Sequence, residues 1–309
     1  MLTDYHMHLR SDDLAASAAE HFTAENAAHY RSMARDRGIE ELGVSEHVYR
    51  FRQALSIWEH PFWRENALDD LDAYCAFVRS ETDLRLGLEV DFVPGREDRT
   101  ANLIERLDLD YVVGSVHFIP LSPRGRAGAG TAAAGAAGFA AVDMAEYGVW
   151  QTGLTAEKAW SRYFETLGEA AGSGLFDILA HPDLVKVFGS GAPTPEGDLR
   201  RFYELCLEGV AESGIAVEVS TAGLRKPARE IYPAPALLAM CVEAGAGVAL
   251  SSDAHRAADI GADYDRALEL LSAAGVRELC VFDRRARTME QIGPGGQGRP
   301  AGNPAEGIA

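Results

Sequence analysis

Along most of the chain, short apolar runs alternate with longer stretches whose apolar residues recur every three or four positions. The runs Thr3–His6, Glu41–Ser45, Arg85–Val90, Tyr111–Ser115, Asp177–Ala180, Ile215–Val219 and Val248–Ser251 predict β-strands, and Val276–Phe282 predicts an eighth. The amphipathic stretches predict helices over Ala15–Arg37, Ala67–Glu81, Ala156–Gly172, Asp198–Gly214, Ala234–Gly245 and Ala262–Ala274. Glycine ends or follows several of them, as a helix C-terminal cap requires. Alternating strands and helices imply a parallel sheet with helical crossovers. Seven or eight such units close into a barrel more naturally than into an open sheet. An open doubly wound sheet is the competing arrangement, but no glycine fingerprint for dinucleotides follows the first strand.

Two segments break the pattern. Pro123–Ala141 is rich in Gly and Ala with few large apolar residues, and is expected to be a loop insertion after the fourth strand. Residues 284–309 are expected to form a disordered tail, most clearly the Gly-, Pro- and Asn-containing end from Gly293. The remainder, residues 1–283, reads as a single α/β domain without internal repeats.

Composition narrows the function. The chain has 309 residues and a formal net charge of −18. No basic stripe is present, which argues against a nucleic-acid partner. Acidity does not exclude an anionic substrate, because bound cations reverse the local sign. Cys75, Cys206, Cys241 and Cys280 form no CxxC pair and lie in apolar stretches, as buried free thiols in a reducing cytosol do. The start of the chain carries no secretory signal pattern. No apolar run approaches the roughly 20 residues of a membrane span. A cytoplasmic protein with no membrane partner is expected.

The chemistry sits at the strand ends. Six of the nine histidines fall there: His6, His8, His47, His117, His181 and His255. Glu89 and Asp253 occupy similar positions. Imidazole and carboxylate are common ligands of hydrolytic metals. His6 and His8, at i and i+2 of a strand, would share a face and could bind one ion. Asp253 and His255 repeat that spacing. Taken singly, Glu89 reads as readily as a solvated strand end, and His117 or His181 as a hydrogen-bonded core histidine. The specificity lies in the set, because one barrel rim can gather groups from six strand ends. His21 and His29 fall inside a predicted helix and read as solvated or capping residues, and His60 as a loop histidine. Trp58, Phe62 and Trp63 read as core, with an apolar wall of the pocket as the alternative.

The order HxH (His6, His8), Glu46-His47, strand-end Glu89, His117, His181 and DxH (Asp253, His255) resembles the polymerase-and-histidinol-phosphatase (PHP) superfamily. Within it, the chain is similar to the monofunctional histidinol-phosphatases. The stretches that carry this are Gly43–His47, Gly114–His117, His181–Lys186 and Ser220–Lys226 with Tyr232-Pro233. The resemblance implies a distorted (β/α)7 TIM-like barrel and two or three divalent metal ions, Zn, Mn or Fe. It implies hydrolysis of L-histidinol phosphate by a metal-bridging hydroxide. The alternative is another PHP phosphoesterase acting on a nucleotide or other small phosphorylated metabolite.

By the same resemblance the first metal takes His6, His8, Glu89 and Asp253. The second shares Glu89 and takes His117 and His181. The third takes His47 and His255 with a residue after the HxH motif. Many relatives carry a histidine where this chain has Leu14, so Asp12 or, preferably, Asp13 would substitute. Arg225 and Lys186 would face the phosphate, and Asp253 or a metal-bound water would protonate the leaving alkoxide.

Overall fold

The computed structural model describes residues 1–11, 17–122 and 138–293. Its strands are β1 (Thr3–Asp4), β2 (Glu41–His47), β3 (Arg85–Asp91), β4 (Tyr111–Ser115), β5 (Phe118–Pro120), β6 (Phe139–Ala141), β7 (Ile178–Leu179), β8 (Ala216–Ser220), β9 (Gly247–Ser251), β10 (Glu278–Asp283) and β11 (Ala286–Gln291). Its α-helices are α1 (Ala18–His21), α2 (Ala24–Asp36), α3 (Pro61–Asn66), α4 (Leu71–Glu81), α5 (Glu97–Ile104), α6 (Ala156–Gly172), α7 (Arg200–Ser213), α8 (Pro235–Glu243) and α9 (Tyr264–Ala273).

Seven strands pair in parallel in the order β1-β2-β3-β4-β7-β8-β9. The first and last edges meet beyond β1, where Met7 bridges Ala254 and the His8 N–H donates to the Ala254 carbonyl at 2.8 Å. The sheet is therefore a nearly closed barrel, as expected from the alternation of strands and helices.

Side-chain alternation sorts each strand into an inner and an outer row. Outward residues such as Val44, Leu88, Val112, Val217 and Leu250 join the large core beneath the helices. Helix α6 supplies Trp160, Tyr163, Phe164, Leu167 and Ala171 at helical spacing to that core. Inward residues Tyr111, Val113, Ile178, Ala216 and Ala249 form a second cluster with Tyr5, Cys280 and Phe282. Gly43 and Gly87 make room for it, because a Cβ at either would overlap the Tyr111 ring.

The expected eighth strand exists but stands outside the barrel. β10 pairs antiparallel with β11, and Phe282 packs edge-on against Tyr5 with centroids 5.5 Å apart. The hairpin plugs the end of the barrel opposite the site, where the inner row would otherwise meet water. This corrects the tail: residues 286–291, expected to be disordered, form β11. The insertion is shorter than expected as well, since Phe139–Ala141 pair with Phe118–Pro120. The predicted helix Ala15–Arg37 is divided at Phe22–Thr23, where the Thr23 hydroxyl accepts from the Asn26 N–H and starts α2. Two short helices, α3 and α5, had no matching expectation. His60 is the N-cap of α3, its Nδ1 accepting from the Phe62 N–H at 3.2 Å. No described helix is long and apolar enough to cross a membrane.

Candidate metal centre

The inner row that is apolar at one end of the barrel turns polar at the other. On β3 it runs Gly87, Glu89, Asp91; on β8, Ala216, Glu218, Ser220; on β9 it leads through Ala249 and Ser251 to Asp253. His47 ends β2, while His117 and His181 follow β4 and β7. Every named donor group thus lies at the C-terminal rim, where parallel barrels place their chemistry.

Glu89 is at the centre and is buried. Its Oε2 lies 3.3 Å from His6 Nε2 and 3.6 Å from His8 Nε2, and it also contacts His47 Nδ1. Its Oε1 lies 3.3 Å from His181 Nε2 and 3.5 Å from His117 Nε2. One carboxylate therefore faces two groups of imidazoles. Asp253 Oδ1 sits 3.8 Å from His6 Nε2 and 3.6 Å from His8 Nε2. Three donor sets each bring their ligand atoms within 4.8 Å of one another: His6, His8, Glu89; Glu89, His117, His181; and His8, His47, His255. His8 stacks between His47 and His255, with centroids 4.2 Å from each.

The nitrogens and oxygens that point inward are buried and lack hydrogen-bond partners: His6 Nε2, His8 Nε2, His47 Nδ1 and Glu89 Oε2. Buried polar atoms without partners are costly, about 1–3 kcal/mol each. Their convergence fits cations held between them. Nitrogen and oxygen donors without thiolate suit Zn, Mn or Fe.

The rear faces of these histidines are held by carboxylates that sequence reasoning did not nominate. His6 Nδ1 meets Glu218 Oε1 at 2.8 Å, and His117 Nδ1 meets Asp91 Oδ1 at 2.7 Å. Glu218 also accepts from the Ser251 hydroxyl and the His181 N–H. Glu46 accepts from the Arg10 N–H at 3.0 Å and from Arg50 at 3.2 Å, close behind His8. The Glu218 and Asp91 contacts set the tautomers of His6 and His117 and turn the other nitrogen toward a metal. The available signal was an acid within an apolar run, as in Ala216-Val217-Glu218-Val219, and the i+2 spacing of Asp91 from Glu89.

Electrostatics prepare the donors. Burial pushes Glu89 toward its neutral form, but His47 and His6 outweigh this and hold it well below the usual carboxylate range. Asp253 is likewise held low against its burial, chiefly by His6. Burial and the neighbouring His47 and His255 keep His8 neutral. His6 is raised well above its ordinary value because Glu218, Glu89 and Asp253 outweigh its burial. His181 and Asp253 have φ of 24° and 48°, the left-handed region that side chains disfavour. Such strain, about 1–3 kcal/mol per residue, collects at functional sites.

The donor floor opens into a cleft of about 370 Å³, walled by Tyr49, Phe62, Phe118, Leu184, Val187 and Phe188. The expected cations differ from this lining. Lys186 faces away: its ammonium meets Asp183 at 2.7 Å and Glu230 at 3.1 Å, on the wall of a separate cavity. Lys186 therefore does not line the donor floor in this arrangement, where it was expected to face the phosphate. Arg225 donates to the carbonyls of Ser252 and Asp253 and stands behind the cleft, gripping the strand end that carries Asp253. The lysine lining the cleft is its neighbour Lys226, together with the carboxylate of Asp143. Neither was nominated from sequence. Asp12 and Asp13 lie outside the described residues.

Comparison with known proteins agrees with this geometry. A protein of Deinococcus radiodurans named "Probable histidinol-phosphatase" is 33% identical over 264 residues, 83% of this chain and 90% of the relative. The histidinol-phosphatase of Bacillus subtilis is 22% identical over 281 residues, covering 85% of this chain and 99% of the relative. The barrel superposes on the histidinol phosphate phosphatase of Lactococcus lactis, solved with zinc, L-histidinol and phosphate. That match has a TM-score of 0.63 at 19% identity, over 93% of this chain and 98% of that one. The family model described as the PHP domain matches residues 6–222. With that match over most of the barrel, and with the histidines and acids of its motifs gathered on one rim, the chain belongs to the PHP domain family.

Proposed function

We propose that this chain is a metal-dependent phosphomonoesterase that hydrolyses L-histidinol phosphate to L-histidinol and inorganic phosphate. The observation that carries the reading is Glu89, whose two oxygens face two groups of imidazoles at the floor of an open cleft. The relatives' names supply the substrate.

His6, His8, Glu89 and Asp253 would hold one ion, and Glu89, His117 and His181 a second. His47 and His255 would hold a third, with His8 at its edge and Asp13 as the candidate for completing it. Divalent ions lower the pKa of water from about 15.7 toward about 7 and offset phosphoryl charge. The chain's own residues do the rest. Glu218 and Asp91 keep the imidazoles of His6 and His117 turned inward. The leaving oxygen needs a proton, which Asp253 or a water held at the donor floor would supply. Arg225 holds the carbonyls around Asp253, which fixes that carboxylate against the floor. Lys226 supplies the positive charge at the cleft for a dianionic ester. The aromatic wall offers a face for the flat imidazole of the substrate.

The test is phosphate release from L-histidinol phosphate by the purified chain, before and after chelation and after return of Zn or Mn. Release that disappears with chelator and returns with metal is expected. Metal-loaded protein that leaves the ester intact, or chelated protein that still cleaves it, would end the proposal.

A further inference from the structure

The cleft holds four carboxylates: Glu89, Asp91, Asp143 and Asp253. Three are occupied. Glu89 and Asp253 belong to the donor floor, and Asp91 is taken by His117 Nδ1 at 2.7 Å. Asp143 makes no such hydrogen bond and is only a charged neighbour of His117. Its Oδ1 is buried without a hydrogen-bond partner. Its Oδ2 lies 4.0 Å from His117 Nε2, beside the floor but beyond hydrogen-bonding distance.

The backbone holds Asp143 in that place. The Val142 N–H donates to the His117 carbonyl at 2.9 Å, which ties the segment to the site. The Ala141 N–H donates to the Tyr147 carbonyl at 2.8 Å and closes the loop that carries Asp143. Gly148 lets the loop close so tightly, because a Cβ there would stand 2.7 Å from the Met144 carbonyl oxygen. The side chain is 26% exposed at the cleft, but an oxygen buried without a partner is costly unless a cation meets it. It therefore marks where the bound ligand carries positive charge.

We infer that Asp143 binds the ammonium group of the substrate, so that the cleft selects phosphate esters bearing an amine on the carbon next to the ester carbon. This rests on the phosphatase reading above and deepens it. With the phosphoryl group on the donor floor and near Lys226, an amine one carbon removed from the ester carbon comes within reach of a carboxylate at the floor's edge. The aromatic wall then takes the remaining ring. Ammonium on Asp143 and phosphate on the floor fix two points of the substrate, and an ester without the amine loses one of them.

The experiment compares L-histidinol phosphate with its deaminated counterpart, 3-(imidazol-4-yl)propyl phosphate, on the metal-loaded chain and on Asp143→Asn and Asp143→Ala. Metal content is measured on each. Both variants are expected to lower kcat/KM for the amine-bearing ester roughly 10- to 100-fold, the range of a lost hydrogen bond to a charged group. The deaminated ester should lose no more than a few-fold, with metal content unchanged. Equal losses on both esters, or none, would overturn the inference. So would loss of a metal ion, which would make Asp143 a ligand of the ion beside His117. Should the unaltered chain cleave neither ester, the phosphatase reading fails, and calorimetric binding of L-histidinol against 3-(imidazol-4-yl)propan-1-ol decides the role of Asp143. A preference for the amine that Asp143→Asn removes would uphold it, and equal binding would reject it.

Discussion

Glu218 offers the sharpest test of how the barrel prepares its donors. It is fully buried, and three donors converge on it: His6 Nδ1, the Ser251 hydroxyl and the His181 N–H. Glu218→Gln keeps the volume but leaves one oxygen where there were two, and points an NH2 at a donor. If the amide nitrogen takes the Oε2 place, the His181 N–H loses its acceptor. If it takes the Oε1 place, His6 loses the partner that turns Nε2 inward. Ser251 can rotate and accept, so one buried N–H is left unsatisfied either way, at about 1–3 kcal/mol. For a domain of this size that lowers Tm by several degrees. Removing the partner of a metal-binding histidine weakens the metal about 10- to 100-fold. Zinc occupancy in competition with a calibrated chelator reads the second effect, and thermal unfolding of the metal-free protein reads the first. Ser251→Ala, which removes one donor and leaves the carboxylate, should shift both far less. If Glu218→Gln unfolds earlier yet binds zinc as tightly as the unaltered chain, Glu218 is a packing residue and the positioning argument is wrong.

Lys226→Ala should lower kcat/KM for a phosphate ester about 10-fold or more, the scale of a lost charge-assisted contact. Lys186→Ala should act mainly on stability by stranding buried Asp183, and the reverse pattern in paired kinetics and unfolding would restore Lys186 to the phosphate. In the metal-free protein, Asp143, Asp91 and Glu89 outweigh burial and raise His117 from 6.5 to about 10. A raised histidine stabilises the fold fully below the unfolded value and loses that contribution as pH climbs through the folded one. Metal-free Tm should therefore fall between about pH 6.5 and 10 for this group, and His117→Gln should flatten the fall. Metal loading should release protons across the same window, and calorimetry in buffers of different ionisation enthalpy would detect their absence. Gly87→Ala should cost about 1–3 kcal/mol in denaturant unfolding, because its methyl overlaps the Tyr111 ring, and an unchanged midpoint would mean that the barrel interior is looser than described.

The sequence by itself carried the strand–helix alternation, and the barrel strands were placed within about two residues of their observed ends. Burial explains this: a strand covered on both sides must be apolar or small along nearly its whole length, and the chain shows it. In β1 the pairing ends at Asp4, and the HxH residues continue as an irregular segment held by the Met7–Ala254 bridge. The rim donors were legible for a related reason. Histidine and acid at the end of an apolar run are conspicuous, and the order of the motifs suggested a family.

What each group faces was decided only by the tertiary structure. Lys186 and Lys226 both follow barrel strands in sequence, yet one is bound by Asp183 and Glu230 while the other lines the cleft. Nothing local distinguishes them, because the difference comes from side chains contributed by other strands. Glu218 was hidden inside a predicted strand and Asp91 lay just past the end of another, and only closure of the barrel turned their inner row toward the histidines. Asp143 depended on a hairpin whose pairing spans the Gly/Ala-rich insertion, a contact that periodicity does not encode. Apolar patterning reports burial, which each residue carries in its own chemistry. Orientation within a site belongs to pairs of residues far apart in the chain, and it exists only once the barrel has closed.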